Sequence, residues 1–521
     1  MSAPARKLAL AEVQCLIVDG YRHHRCRYFL LKVRDPAEAR RFLSALVAEG
    51  WVESADKPLD MRTGISAHES PATPVSVGIS YPGLRALGLK RRFIDPLQAR
   101  APAFQQGAHC RSASRLADTG ASAARYWDPR FDRDRVHVLV VVHGDESEAL
   151  SEACAALGKL AGEAFEPDGW RDSLDACHLN PVQTACAANT ANTAQPTGPT
   201  DRLAMPDPAH PASARRRVHF GFVDGISKVL IKGVPRHDRS SRDQALAHEP
   251  GEFLLGYQND KGYNPWLLAC QPPDAELPPR RLGDASMPSP LQPGEFFVNG
   301  SFAAFRDMAQ HEKAFRGYTD ACAAPMGVSG DFVRAKMLGR WPEGQVVEPG
   351  HMTVPTSTAQ GAAALDDFDF STDADGHGCP FGSHVRRMNP RADGVVPFRR
   401  RPLIRRGMPY GQAYAEDEED GLRRGLLGLF FCASLEDQFE HLVSEWGDGT
   451  PLGTPNRGSS KDPLIGNHTQ GHAPFDIPVA EGPLRQLNGM APFITTRGTA
   501  YLFFPGLNAL RAMGDERLFE A

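Results

Sequence analysis

Residues 136–142 read Val-His-Val-Leu-Val-Val-Val, and this run constrains the fold more than any other stretch of the chain. β-Branched residues fit a pleated surface, and a short run apolar on both faces suits a strand buried between layers. An Ala-rich helical stretch, Ser147–Leu160, follows it. The same alternation opens the chain. Residues 13–18 and 27–33 read as strands, and Asp35-Pro36 then starts a helix that places Ala37, Phe42, Leu43, Leu46 and Val47 on one face before Gly50 stops it. Residues 73–80 read as another strand and Tyr81–Leu89 as a short helix. Such a β-α-β order, with spacing suited to antiparallel pairing, predicts an α+β fold rather than a parallel sheet.

Residues 183–216 change character: Ala, Asn, Thr, Pro and Gly dominate, as in a linker or long surface loop. They divide the chain into an expected N-terminal domain, 1–210, and a C-terminal domain, 211–521. Beyond them, 272–293 reads as a Pro-rich connection, Glu295–Val298 as a strand and 301–316 as helix. Residues 354–377 read as loop, Leu426–Phe431 as strand, Leu435–Trp446 as helix and 448–474 as loop. Thr499–Phe504 reads as a last strand, with Gly506–Met513 as a last helix.

The net charge of −5 gives no overall basic field to attract nucleic acid or an anionic membrane. No apolar run approaches the length of a spanning helix, and the opening residues lack an apolar leader segment. The ten cysteines form no CxxC pair, which points away from a zinc ribbon or a disulfide framework. We therefore expect a cytoplasmic chain with reduced thiols.

The chemistry concentrates around His384, which lies in Gly378-Cys379-Pro380-Phe381-Gly382-Ser383-His384-Val385-Arg386-Arg387-Met388-Asn389-Pro390-Arg391. Imidazole ligates iron, and guanidinium suits carboxylates. Haem b offers both an iron and two propionates. Arg405 follows in Ile404-Arg405-Arg406-Gly407-Met408-Pro409-Tyr410-Gly411, and Asp224 lies upstream in Gly221-Phe222-Val223-Asp224-Gly225-Ile226-Ser227. The arginines at 386, 387, 391, 399, 400, 401, 405 and 406 could also be read as a nucleic-acid patch, but no aromatic interleaving supports this.

Together these stretches resemble the dye-decolourising peroxidase family. Its Gly-x-x-Asp-Gly loop, Cys-Pro-Phe-x-x-His-x-Arg-x-x-Asn-Pro-Arg run and Arg-x-Gly-x-Pro-Tyr-Gly segment occur here in family order, at 221–225, 379–391 and 405–411. The resemblance continues in Gly251–Tyr257, Asn299–Phe302, Gly339–Pro342, Gly425–Leu427 and Ala433-Ser434, covering most of 218–513 and, more weakly, the N-terminal part. Val223, Lys228 and Val229 depart from the pattern, as do Gly428, where a bulky apolar residue is common, and Cys432, where asparagine is common.

The resemblance implies two ferredoxin-like domains of the dimeric α+β barrel type, each an antiparallel sheet backed by helices. The C-terminal one would hold haem b (iron protoporphyrin IX). It further implies that His384 is the axial iron ligand and that Arg391 pairs with a propionate. Asp224 would move a proton from and back to peroxide, so activity should be acid-shifted and limited at low pH by protonation of that carboxylate. Arg405 would stabilise charge on the departing oxygen. Gly225, Ile226, Ser227, Asn389 and Pro390 would line the cofactor. Leu427 and Leu429 would shape the pocket above it, with ordinary strand core an equally good reading. The partners implied are hydrogen peroxide and an aromatic reductant such as a phenol or anthraquinone dye, with the chain a monomer or homo-oligomer. The rival is a haem-binding or haem-handling protein with little turnover.

Two other ligand readings stay open: Cys379 as a thiolate, and a zinc site of His377, Cys379 and His384. A carboxylate partner for the second nitrogen of His384 is expected, with Glu416–Asp420, Glu436 and Glu440 as candidates. Trp266, Trp341, Trp446, Tyr257 and Tyr263 read as core or, alternatively, as electron relays.

Overall fold

The valine run lies in the middle of the N-terminal half of one sheet. In the computed structural model four strands, β1 (Arg25–Leu31), β2 (Val75–Ile79), β3 (Val138–Gly144) and β4 (Leu174–Cys177), alternate with helices α1 (Pro36–Ala48) and α2 (Ser147–Ala161). The structure describes residues 7–21, 23–56, 73–179, 216–237, 244, 246–266, 291–353, 365–391, 401–414, 423–449, 461–469, 473–479 and 484–520. Val138 to Val142 are each 0% exposed. Each such side chain contributes about 1.5–3 kcal/mol of transfer free energy, as an upper estimate. Helix α1 starts where expected, with Asp35 accepting from the Ala37 and Glu38 N–H groups at 2.8 and 3.0 Å.

The C-terminal half repeats the plan with β5 (Ser301–Gln310), α3 (Glu312–Ala323), α4 (Gly330–Leu338), α5 (His384–Met388), β6 (Ile404–Tyr410), β7 (Gly425–Cys432), two π-helical segments (Leu435–Glu440 and Leu442–Gly447) and, after a small β8 (Phe475–Ile477) and β9 (Arg485–Leu487) pair, β10 (Ile494–Phe504) and α6 (Leu507–Ala512). The eight-stranded sheet runs β4-β1-β3-β2-β10-β5-β7-β6. All its neighbouring strands are antiparallel. Each half has the first, second, third and fourth strands of its own unit in the order 4-1-3-2, the ferredoxin-like arrangement. The outer strands β4 and β6 come into contact, so the sheet curls towards a barrel. The α+β fold and its antiparallel sheets are as expected.

One large core spans both halves and joins β1 residues such as Phe29 to β5 and β10 residues such as Phe305 and Phe503. A second core gathers Phe220, Phe222, Phe315, Trp341 and Phe493. The expected boundary at 210/211 and most of the 183–216 stretch lie outside the described residues, as do nearly all of 272–293 and all of Glu416–Asp420. Among the described residues no helix is long and apolar enough to cross a membrane.

Two local readings are overturned. Residues 13–18 hold not a strand but a short helix, Cys15–Val18, whose last carbonyls at 16, 17 and 18 accept from the Arg406 guanidinium. The assignments around 300 are exchanged: Pro293–Phe297 is helical, with a capping box between Gln292 and Glu295, and Ser301–Gln310 is a strand. The strand reads Ser-Phe-Ala-Ala-Phe-Arg-Asp-Met-Ala-Gln, helix-like by composition. Its place between β10 and β7 buries nearly all of it and overrides that preference.

Candidate functional site

His384 opens α5, at the end of a loop that is densely cross-braced. Asp373 accepts from the Gly378 and Cys379 N–H groups at 3.0 and 2.8 Å and from Arg386 at 3.2 Å. Arg386 also donates to the Cys379 carbonyl at 2.7 Å and lies between the Phe370 and Phe381 rings. Lys336 caps the His377 and Gly378 carbonyls, both at 2.6 Å. Arg387 donates to the Trp446 carbonyl at 2.8 Å. Arg386 and Arg387 are therefore structural cations of the loop. Beneath it, Gly339 has a φ of +100°, and a Cβ there would meet the Cys379 Sγ at 3.0 Å and the Val385 Cβ at 3.1 Å. Only glycine fits.

The His384 Nδ1 lies 2.9 Å from the Asp462 carboxylate, which is fully buried. The other Asp462 oxygen accepts from the Leu464 and Ile465 N–H groups at 2.9 and 3.0 Å. Burial opposes the charge of Asp462, but His384, Arg387 and the Ile465 N–H outweigh it and hold the carboxyl below its ordinary range. An ionised carboxylate only accepts, so Nδ1 carries the ring proton and the Nε2 lone pair is left to a ligand. The partner is thus neither Glu436, which accepts from the Ala103 N–H, nor Glu440, which pairs with Arg111 and Tyr501. Asp462 comes from the stretch read only as loop, and the sequence carries no periodic signal that would single it out.

Asp224 sits on a loop clamped from several sides. Its N–H donates to the Arg216 carbonyl at 2.8 Å, and the Val223 N–H to the Pro342 carbonyl at 2.9 Å. Arg217 donates to the Gly221 carbonyl at 2.7 Å and pairs with Glu343. Gly221 and Gly225 both have positive φ, 86° and 75°. Asp224 is exposed, as is Arg405 on β6, and Arg405 donates to the Ser227 carbonyl at 3.4 Å. The structure therefore brings Arg405 against the Asp224 loop. The segment 339–344 connects this side to His384. Gly339 packs on Val385, next to His384, while Arg340 reaches Ser227 at 3.3 Å and Gly344 lies under Ile226.

Ser227 is the hub of a charged cluster. Its hydroxyl donates to Asp366 at 2.7 Å and accepts from Arg391 at 3.0 Å. Arg391 also pairs with Asp366, and Arg340 approaches the same carboxylate at 3.6 Å. Both guanidinium groups stack on Phe368, at 5.0 and 4.5 Å. Burial, then the neighbouring Arg391, brings Arg340 down to about 10. Among the described residues these two guanidinium groups share one carboxylate, so the cluster can take a further carboxylate. Arg340 was noticed in the sequence only as part of a resemblance, not as a member of the site. Asn389 and Pro390 end α5, with the Asn389 N–H on the Val385 carbonyl at 3.1 Å.

Of the two readings of Leu427 and Leu429, strand core is the one their positions favour. Across β6 and β7, Arg405 pairs with Phe430 and Gly407 with Gly428, while Leu429 pairs with Arg406 and Leu427 with Met408. Side chains opposite one another share a face, so Arg405 shares its face with Phe430, Gly428 and Leu426. Leu427 and Leu429 point the other way, into the large core. A Cβ at Gly428 would come within 2.8 Å of the Phe430 ring and 3.3 Å of the Met308 methyl, so those side chains fill the space left by the missing bulk.

Cys379 is buried, and burial pushes its thiol up to about 11, against a thiolate ligand. Among the described residues no group of three or more His, Cys, Asp or Glu side chains is arranged to hold a metal, which removes support for a zinc site at His377. Trp266, Trp341, Trp446 and Tyr257 are buried, while Tyr263 is exposed.

The donor set fits a haem: an imidazole with its second nitrogen already committed to a carboxylate, and a pair of guanidinium groups with charge to spare. Residues 12–167 match the family described as DyP dimeric alpha+beta barrel domain. The dye-decolorizing peroxidase msp1 of Mycetinis scorodonius is 25% identical over 533 residues, covering 97% of this chain and 88% of that protein. The multifunctional dye peroxidase DyP2 of an Amycolatopsis strain is 25% identical over 530 residues, covering 97% and 96%. Among solved structures, a fungal DyP-type peroxidase from Auricularia auricula-judae superposes with a TM-score of 0.71 at 20% identity, over 99% of this chain and 100% of that one.

Proposed function

We propose that this chain is a haem peroxidase of the dye-decolourising family, a reading supported by its similarity to the family's barrel domain and to dye-decolorizing peroxidases, and that its own residues serve it as follows. His384 would ligate the iron through Nε2, with Asp462 fixing the tautomer and raising the basicity of the ring. Arg391 and Arg340 would take a propionate, in exchange with or alongside Asp366. Gly225, Ile226 and Ser227 would border the ring on the Asp224 side. Haem b, when bound, supplies the redox chemistry that consumes hydrogen peroxide and draws electrons singly from a reductant.

The protein's part is protons and charge. Asp224 would accept a proton from the peroxide oxygen nearest the metal and return it to the departing oxygen. Arg405 would stabilise the negative charge that builds on that oxygen, without reorganising. The reductant would be a bulky aromatic such as a phenol or dye. A cytoplasmic setting is part of the same proposal, in keeping with a sequence that holds no CxxC pair.

The observation that carries this reading is the buried Asp462–His384 pair, because a carboxylate committed to Nδ1 leaves one nitrogen for a metal. The test is Asp224→Asn with Arg405→Leu. Peroxidase turnover should fall by about 10²-fold or more while the Soret band stays. Unchanged turnover would remove both side chains from the chemistry and restore the haem-carrier reading.

A further inference from the structure

Proton transfer at Asp224 demands a fixed position relative to Arg405, yet the two lie on different elements. Among the described residues, Arg405 reaches the Asp224 loop through a hydrogen bond to the Ser227 carbonyl at the long distance of 3.4 Å. A stronger tie lies behind them. The His219 Nε2 is 2.7 Å from the Tyr410 carbonyl. A carbonyl only accepts, so Nε2 carries the ring proton and donates it. His219 lies five residues before Asp224, and Tyr410 five residues after Arg405.

The imidazole is fully buried and is held from several elements. The neighbouring Phe220 packs at a tilt against Phe315 of α3, with ring centroids 4.6 Å apart. Glu312, at the start of α3, stands 4.0 Å from Nδ1, outside hydrogen-bond range, and is engaged by Arg316 at 2.8 Å. Burial, opposed by the Tyr410 hydrogen bond and helped by the nearby Arg424 charge, brings the His219 imidazole down to about 4, so it is neutral at neutral pH. From His219 to Asp224 the loop is internally rigid: the Val218 N–H bonds the Phe222 carbonyl at 3.0 Å, and the Arg217 and Pro342 contacts brace the remainder. A shift at His219 therefore moves Asp224 as a unit.

We infer that His219 is a positioning residue, which sets the Asp224 loop against the strand carrying Arg405 through its hydrogen bond to the Tyr410 carbonyl. The inference rests on the proposed roles of Asp224 and Arg405. His219→Leu removes the donor and keeps the bulk, whereas His219→Gln keeps an N–H at similar reach.

The experiment uses the haem-loaded full chain and follows the bimolecular reaction with hydrogen peroxide by rapid mixing, in the parent and Asp224→Asn backgrounds. His219→Leu should slow that reaction by about tenfold or more, on the scale of a ~1 Å misplacement. The resting Soret band and the KM for the dye should stay in place, and His219→Gln should recover most of the rate. In the Asp224→Asn background, removing His219 should cost less than about twofold, the non-additivity of residues acting through one another. Amide exchange measured on the haem-free protein should quicken over 218–224 and not over 384–388.

Parent-like rate and exchange in His219→Leu would overturn the inference, as would an equal loss in both backgrounds, the mark of a merely structural role. If His219→Leu does not fold, a His219→Gln variant with quickened exchange over 218–224 but full rate overturns it too. Should Asp224→Asn itself react at the parent rate, the proposed proton role falls and takes this inference with it. A slow Asp224→Asn beside a normal His219→Leu sinks the inference alone.

Discussion

Replacing Asp462 with asparagine tests the central pair directly. The carboxylate accepts from His384 at 2.9 Å and from the Leu464 and Ile465 N–H groups at 2.9 and 3.0 Å. Asparagine offers one acceptor oxygen. If that oxygen keeps the two backbone donors, the amide NH2 faces Nδ1, and the imidazole must move its proton to Nε2, where a metal would bind. If the amide turns round, two buried N–H groups lose their acceptor, at about 1–3 kcal/mol each. Either arrangement penalises the ligating state, and outer-shell losses of this kind weaken metal affinity about 10–100-fold, or roughly 1.4–2.7 kcal/mol. The assay is the rate of haem loss to an excess of a haem scavenger, followed at the Soret band. Loss within about twofold of the parent would refute the reasoning, since no outer-shell role costs so little.

The same substitution has a signature in the haem-free protein. Asp462 is held below its ordinary 3.8 in the folded state, so the unfolded chain binds the proton first as pH falls. Its stabilising contribution is therefore fully present above about pH 4 and is lost as pH drops through the folded value. The Asp462→Asn variant should show a flatter decline of stability at low pH, measured by urea unfolding.

Gly339→Ala forces a Cβ into contact with the Cys379 Sγ at 3.0 Å in a backbone with φ of +100°, and should cost about 1–3 kcal/mol in unfolding free energy and loosen haem retention. Cys379→Ser should leave the Soret band unmoved, because a thiol pushed up to about 11 stays protonated at neutral pH; a shifted band would reopen thiolate ligation.

How far the sequence could be read varied with the physics behind each residue. His384, Asp224 and Arg405 stand in short local patterns, so they were visible without a fold. Asp462 was not: it lies 78 residues from His384, in loop-like sequence, and meets it only through tertiary folding. For Leu427 and Leu429 the sequence leaves pocket and strand core equally open, because a period of two leaves the phase free until a partner strand fixes it, and the register with β6 puts Leu426, Gly428 and Phe430 on the face of Arg405. The β5 strand was mistaken for helix because its alanines suit a helix in isolation, while burial between two strands decides otherwise. The 136–142 run and the Asp35-Pro36 helix start were legible because their causes are local.

The order of the sheet has a consequence for how the molecule is made. β10, spanning Ile494–Phe504, lies at the centre between β2 of the first half and β5 of the second. Synthesis proceeds from the N-terminus, and early segments begin to fold first. Here the strand that sutures the two halves comes after every other described strand in the chain, so the sheets of the two halves cannot be joined until it has been made.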